Sequence, residues 1–257
     1  MAEPVSEKTV ENAKGAAQQA AKAEVTSPPK RERRSYLFQL GLLAVVGAFT
    51  TLTILVKTVP SFPIDVQITR ALQSLSSPIF SALMEAISWP GFPPQCYIIS
   101  AFIIPVIYLF GFHWEAVATL FATLLPPIAN VIVKETIQRP RPTVDLVEVF
   151  NILDSYSFPS GHVMFYVGFF GFMWFLVYTL LKRSWLRTTL LILLGIFIAL
   201  VGASRIYLGQ HWATDVLGAY LLGSLTLVVN VWFYRWGKKR FFVGQPVAPE
   251  EPKAAES

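Results

Sequence analysis

The stretch TTLLILLGIFIALVGASRIYLGQHWATD, residues 188–215, decides the fold. Residues 190–203 carry no charged side chain, and a second apolar run follows from Val216. Crossing the hydrocarbon core of a bilayer takes about 20 mainly apolar residues. The stretch therefore reads as the end of one membrane span, a short polar turn, and the start of the next. That turn carries an arginine, a histidine and an aspartate, which lipid tolerates only where protein surrounds them.

The same pattern runs through most of the chain. Spans are predicted near 36–56, 95–112, 114–134, 161–181, 187–204 and 212–235. Of the 257 residues, 54% are hydrophobic and 14% charged, against about 25% charged in a soluble domain. The fold class is all-α, a polytopic membrane protein built as a six-transmembrane-helix bundle. The spans near 95–112 and 114–134 are joined at FHWE and must form a tight helical hairpin. Trp114, Trp185, Trp212 and Trp236 fall near span ends, as an interfacial aromatic belt would place them. Pro126 and Pro127 should kink the third span beneath Lys134. The single cysteine, Cys96, excludes an intrachain disulfide.

Between the first two spans the pattern changes. Ile64, Ile68, Leu72 and Leu75 repeat at helical spacing. SSP (76–78) then supplies a cap and a first-turn proline. Ile79, Phe80, Leu83, Met84 and Ile87 continue the spacing. Two short amphipathic helices lying at the interface are expected here, before WPGFPP (89–94) breaks the chain. Three domains are expected. Residues 1–35 form a polar, disordered tail ending in the basic KRERR. Residues 36–240 form the membrane domain. Residues 241–257 form a proline- and alanine-rich disordered tail. The first apolar run is too long for a cleaved signal and reads as an uncleaved span.

The net charge of +5 is concentrated at span ends and gives no nucleic-acid signal. KRERR precedes the first span, KRSWLR separates the fourth and fifth, and RWGKKR follows the sixth. The positive-inside rule makes that side cytoplasmic. Both termini are then cytoplasmic in a multi-pass protein of the cell membrane, and segments 57–94, 135–160 and 205–211 are extracytoplasmic.

The unusual polar residues collect on that outer side, from three parts of the chain. Lys134, Arg141 and Arg205 are fixed cations suited to an anion with several oxygens. PSGH (159–162) reads as a turn into a helix, with Ser160 at the cap and the Gly161 and His162 amides free for an anion. His211 and Asp215 stack on one helical face, so the carboxylate orients the ring and leaves a nitrogen lone pair for attack. His162 can protonate a leaving alkoxide. Each residue alone has an ordinary reading: a snorkelling lysine, a basic turn, a helix start, a capping pair. Their convergence points to a phosphate site. His113, in the hairpin turn, has no assigned role.

Lys-x6-Arg-Pro (Lys134 to Pro142), Pro-Ser-Gly-His (Pro159 to His162) and Ser-Arg-x5-His-x3-Asp (Ser204 to Asp215) together resemble the three-part signature of the type-2 phosphatidic acid phosphatase superfamily. That superfamily includes lipid phosphate phosphatases, bacterial acid phosphatases and vanadium haloperoxidases. The resemblance spans roughly residues 36–235 and lacks no residue of the pattern. It implies that His211 becomes a phosphohistidine, oriented by Asp215, and that His162 is the acid. It also implies that Lys134, Arg141, Arg205, Ser160 and the Gly161 amide hold phosphate. Arg139 lies outside the motif and is expected as a headgroup or second-phosphate contact. No metal or other cofactor is implied, and the sequence has no carboxylate or cysteine cluster to hold a metal.

The expected function is a metal-independent membrane lipid phosphatase acting at the outer leaflet, a phosphoric monoester or diphosphate hydrolase. Its partners are a phosphorylated lipid substrate and membrane lipids. Candidate substrates are phosphatidate, phosphatidylglycerol phosphate and polyprenyl diphosphates such as the undecaprenyl carrier. Alternatives are a lipid phosphotransferase using the same phosphoenzyme, or a lipid-phosphate transporter or binder. Transport is disfavoured because the charges sit at span ends and not at the midplane.

Overall fold

A computed structural model describes the backbone of residues 28–242 and the side chains of residues 36–242. Among the described residues every regular element is helical. The helices are α1 (Pro28–Thr58), α2 (Pro63–Gln73), α3 (Pro78–Ser88), α4 (Gln95–Leu109), α5 (His113–Ile137), α6 (Gly161–Leu180), α7 (Trp185–Tyr207) and α8 (Ala213–Gly237). A π-helical turn, Lys238–Phe242, continues α8. The chain divides into two compact units, residues 1–45 and 46–257, with the division inside α1. The second unit carries the candidate site.

Five helices are long and apolar enough to cross a membrane by themselves, and a bent pair brings the number up to six. That pair is the main departure from the predicted arrangement. The second predicted span, 95–112, is a helix of only 15 residues, Gln95–Leu109. It passes the length test only together with Pro78–Gly91, from which it bends by 56°. Pro90, Pro93 and Pro94 fall at the break. Each lacks the backbone N–H that would carry one helix into the next. By length and composition, the second expected interfacial helix and α4 together suffice for one broken span.

The two short helices form where the periodicity put them. Ser77 caps α3 by accepting the Phe80 N–H at 3.2 Å, with Pro78 in the first turn. Their apolar faces point outward, as helices lying at an interface require. Ile64, Ile68, Ile79 and Leu83 are exposed, while the buried residues of α2 are Asp65 and Thr69. A polar inner face on α2 means that it packs against charge, as described below. On α3, Met84 and Ile87 enter the core.

α6 is the central helix. Its membrane window is 61% buried, against 33% for α5 and 28% for α7. Apolar burial is a weak driving force between helices already surrounded by lipid, so close van der Waals packing at small residues matters most. A Cβ on Gly168 would lie 2.3 Å from Pro126 Cγ, and one on Gly218 would lie 2.3 Å from the Phe158 ring. α5 continues through Pro126 and Pro127 as one helix. Opposite it, α6 contains a π-helical turn at Tyr166–Phe170.

Several boundaries move. α1 begins at Pro28 and not at 36. Phe241 and Phe242 still belong to the last helical turn, where Phe241 packs on Trp114 and Trp236. That turn extends two residues past the expected boundary at 240. The tails expected at residues 1–27 and 243–257 lie outside the described residues. Trp185 and Trp236 are exposed, as a belt requires, but Trp212 is 1% exposed. Its indole N–H donates to the Pro140 carbonyl at 3.2 Å, so Trp212 belongs to the site and not to the belt.

Candidate active site

α5 closes at Gln138, which takes the left-handed conformation (φ 57°) while its N–H bonds the Lys134 carbonyl. This cap turns the chain sharply, and residues 139–160 then cover the ends of α5, α6 and α8. Lys134 Nζ donates to the Tyr156 carbonyl. Arg141 donates through Nε to the Ser155 carbonyl, through Nη2 to Ser155 Oγ at 2.9 Å, and through Nη1 to the Gln210 carbonyl. On the other side, α7 ends at Tyr207 and Gly209 (φ 64°) reverses the chain toward His211. A Cβ at Gly209 would lie 1.9 Å from the Glu148 carbonyl oxygen, so this close approach of two loops requires glycine.

His211 is 2% exposed. Arg141 Nη1 stands 3.3 Å from its Nε2. A guanidinium can only donate, so Nε2 presents its lone pair to the cation and Nδ1 carries the proton. Nδ1 points at Asp215 Oδ2, 3.7 Å away. That is beyond hydrogen-bond distance, which modifies the expected direct orienting bond. Asp215 is held elsewhere: Oδ2 accepts the Trp212 N–H at 2.8 Å and the Ser157 hydroxyl, and Oδ1 accepts Arg139 Nη1 at 2.6 Å. By bonding the Trp212 amide, Asp215 caps α8 and fixes the peptide next to His211. Burial is the first cause that pushes the His211 imidazole well below its ordinary value. The field of Arg141, Lys134 and Arg205 adds to it. His211 is therefore neutral at physiological pH, the form that can attack.

His162 lies in the first turn of α6, within electrostatic range of Arg205, His211, Arg141 and Lys134. The Phe92 ring meets it edge-on at 4.4 Å. Ser160 occupies the N-cap position, but its side chain makes no capping bond and its buried hydroxyl has no protein partner. This corrects the expected side-chain cap. The first backbone bond of α6 runs from Met164 N–H to the Ser160 carbonyl, leaving the Gly161 and His162 amides as helix N-terminal donors.

Arg205 is fully buried. Nη1 donates to Ser88 Oγ at 3.0 Å, and the guanidinium lies 4.9 Å from the Phe92 ring centre. Nε and Nη2 have no protein partner among the described residues. A buried guanidinium with two unmet donors is costly unless an anion answers it. From the three motif segments, Ser160 Oγ, His162 Nε2 and the Gln210 amide are also buried without protein partners among the described residues. So many unmet polar groups around three cations describe a site for a multi-oxygen anion. A cavity of about 260 Å³ opens onto Gly161 and His162 between Gly91, Cys96, Thr123 and Asn130. A second, of about 220 Å³, meets Arg141 and Gln210.

Arg139, expected as a headgroup or second-phosphate contact, pairs with two carboxylates. Its side chain is fully buried between Asp65 (2.9 Å) and Asp215 (2.6 Å), and Nε donates to the Pro60 carbonyl. With its donors committed to protein, it is a cross-link between α2 and α8.

Residues 115–241 match the sequence model of the PAP2 superfamily. Phosphatidylglycerophosphatase B of Bacillus subtilis (strain 168) is 32% identical over 169 residues, which is 63% of this chain and 78% of that protein. The chain belongs to the PAP2 superfamily. The crystal structure described as the first transmembrane PAP2 type phosphatidylglycerolphosphate phosphatase from Bacillus subtilis superposes with a TM-score of 0.67 at 27% identity. It covers 76% of this chain and 96% of that one. Aquifex aeolicus LpxE gives a TM-score of 0.54 at 18% identity, covering 67% and 98%, a likeness of fold alone. This chain is accordingly a membrane-integral PAP2 protein, and the hydrolase class read from its motifs agrees with the name of its Bacillus relative. Asp65, Ser88 and Phe92 lie outside the matched stretch and were not read from sequence. Asp65 did leave a signal, a lone carboxylate on an apolar-patterned helix with Thr69 one turn later.

Proposed function

We propose that this PAP2 protein is a metal-independent phospholipid phosphatase that works through a phosphohistidine on His211. Two observations carry this reading: Arg205 is a fully buried guanidinium with two unmet donors, and the Nε2 lone pair of a neutral His211 faces Arg141 at 3.3 Å. A phosphate entering between Arg141 and His211 takes the arginine donor away from Nε2. Lys134, Arg141, Arg205, Ser160 and the Gly161 amide then hold its oxygens. The Nε2 lone pair forms an N–P bond as the bond from phosphorus to the lipid alcohol breaks, and His162, protonated beside the bound phosphate anion, gives that oxygen its proton. Water then attacks phosphorus in the second step, with His162 taking its proton, and phosphate leaves. The preorganised cations supply the main stabilisation of the developing charge.

A glycerophospholipid phosphate monoester, such as phosphatidylglycerol phosphate, is the favoured substrate, on the strength of the Bacillus relative's name. The basic segments KRERR, KRSWLR and RWGKKR support cytoplasmic termini and an extracytoplasmic site. The test is phosphate release by purified protein, in chelator, from phosphatidylglycerol phosphate, phosphatidate and undecaprenyl diphosphate, beside His211→Ala. Release from the first, abolished in the variant, is expected. A folded wild-type protein that releases phosphate from none of them would refute the reading.

A further inference from the structure

The network behind Asp215 reaches out of the matched family region, to Asp65 on α2. The Asp65 carboxylate is fully buried. Its Oδ2 accepts Arg139 Nη2 at 2.9 Å, and its Oδ1 accepts the Thr214 N–H at 2.9 Å. The Thr214 hydroxyl lies within 3.0 Å of both oxygens and accepts Arg139 Nη1 at 2.7 Å. Arg139 Nη1 also donates to Asp215 Oδ1. One cation thus stands between two carboxylates, and the triplet keeps one net negative charge. The Asp215 oxygen turned away from Arg139, Oδ2, is the one that faces His211 Nδ1.

We propose that Asp65 is a positioning residue for phosphoryl transfer, acting through Arg139 on Asp215; this rests on the reading of His211 as nucleophile. When Nε2 bonds to phosphorus, the imidazole becomes cationic, with its proton still on Nδ1. No proton leaves the ring in that step, so its charge must be answered where it forms. Asp215 answers it from Oδ2. Asp65 makes this possible by occupying the other half of the Arg139 charge. Without the Asp65 charge, Arg139 would neutralise Asp215, and the phosphorylated ring would face a neutral pair. Low dielectric around these buried groups magnifies the difference. The polar inner face of α2 follows from the same arrangement, since Asp65 must lie on the side facing α8.

The test uses the full chain in detergent with short-chain phosphatidylglycerol phosphate carrying 32P in its phosphomonoester group, read as the rate of phosphoenzyme formation together with kcat and KM. Asp65→Asn should lower the rate of phosphoenzyme formation and kcat by about 10–100-fold, as loss of an outer-shell partner does, with KM little changed. The double variant Asp65→Asn/Arg139→Gln restores the negative charge on Asp215 and should be faster than Asp65→Asn alone. Thr69→Val, on the same buried face of α2, should match wild type. A wild-type rate in Asp65→Asn, or a double variant no faster than the single, overturns the proposal. Should Asp65→Asn not fold, the double variant decides: a rate below roughly a tenth of wild type, the milder end of an outer-shell loss, overturns it. If wild type forms no phosphoenzyme, the nucleophile reading itself fails. Labelled wild type with an unaffected Asp65→Asn sinks only the role of Asp65.

Discussion

Replacing Arg205 by methionine separates an anion-binding guanidinium from a structural one. The substitution removes two buried donors with no protein partner, each costing about 1–3 kcal/mol. It also removes the bond to Ser88 and the stacking on Phe92, which stabilise by about 1.5–3 and about 2 kcal/mol. These nearly cancel, so stability without anion should stay within about 2 kcal/mol of wild type. The response to an anion should not. At a vanadate concentration 100 times its Kd, wild type gains about 2.7 kcal/mol. Loss of one such donor weakens binding of a phosphoryl-like anion by about 100-fold, which leaves about 0.4 kcal/mol at the same concentration. At roughly 2–4 °C per kcal/mol, the expected vanadate shift in Tm falls from about 5–10 °C to about 1 °C. The assay is thermal unfolding in detergent with and without vanadate, beside phosphate release. A variant that keeps the full vanadate shift refutes the site. A variant that melts more than about 8 °C lower without vanadate shows Arg205 to be structural, since that exceeds the 2 kcal/mol allowed.

Two further outcomes follow from single contacts. A Cβ at Gly91 would lie 2.5 Å from His162 Cδ2 and 2.9 Å from Tyr166 Cε2, so Gly91→Ala should turn the His162 ring and lower kcat about 10–100-fold with the fold intact. Phosphate release at the wild-type rate would contradict that contact. The folded His211 is held below its ordinary value of 6.5, so the unfolded chain takes up this proton first as pH falls. The stability this contributes is present above about 6.5 and is lost below it, by about 1.4 kcal/mol per pH unit until the folded group also titrates. Denaturant unfolding at pH 7.5 and 5.5 should show a smaller acid loss in His211→Gln than in wild type. An equal loss in both would refute the assignment.

The apolar runs carried most of the fold in plain view. A bilayer sets the length of a span, and a helix is the way a single segment satisfies its own backbone there. The three motifs carried most of the candidate site for a similar reason: Lys134, His162, Arg205 and His211 bring their own chemistry wherever the chain places them. WPGFPP was legible as a break, but not as the 56° bend that joins α3 to α4, because proline removes donors without choosing a direction. Asp65, Ser88 and Phe92 were missed because they reach the site from distant segments, and local spacing says nothing about such contacts.

Arg139 and Arg141 draw the boundary most sharply. By sequence they are two arginines flanking Pro140, of which the motif assigns Arg141 to phosphate and leaves Arg139 expected as a headgroup or second-phosphate contact. In the folded chain the left-handed turn at Gln138 sends Arg139 inward between two carboxylates, while Arg141 reaches His211 Nε2. Composition and motif alone determined a membrane-embedded chain of the PAP2 superfamily and pointed to a candidate site built around two histidines. That Arg139 pairs with two carboxylates was decided only by tertiary structure, because Asp65 and Asp215 come to it from distant segments.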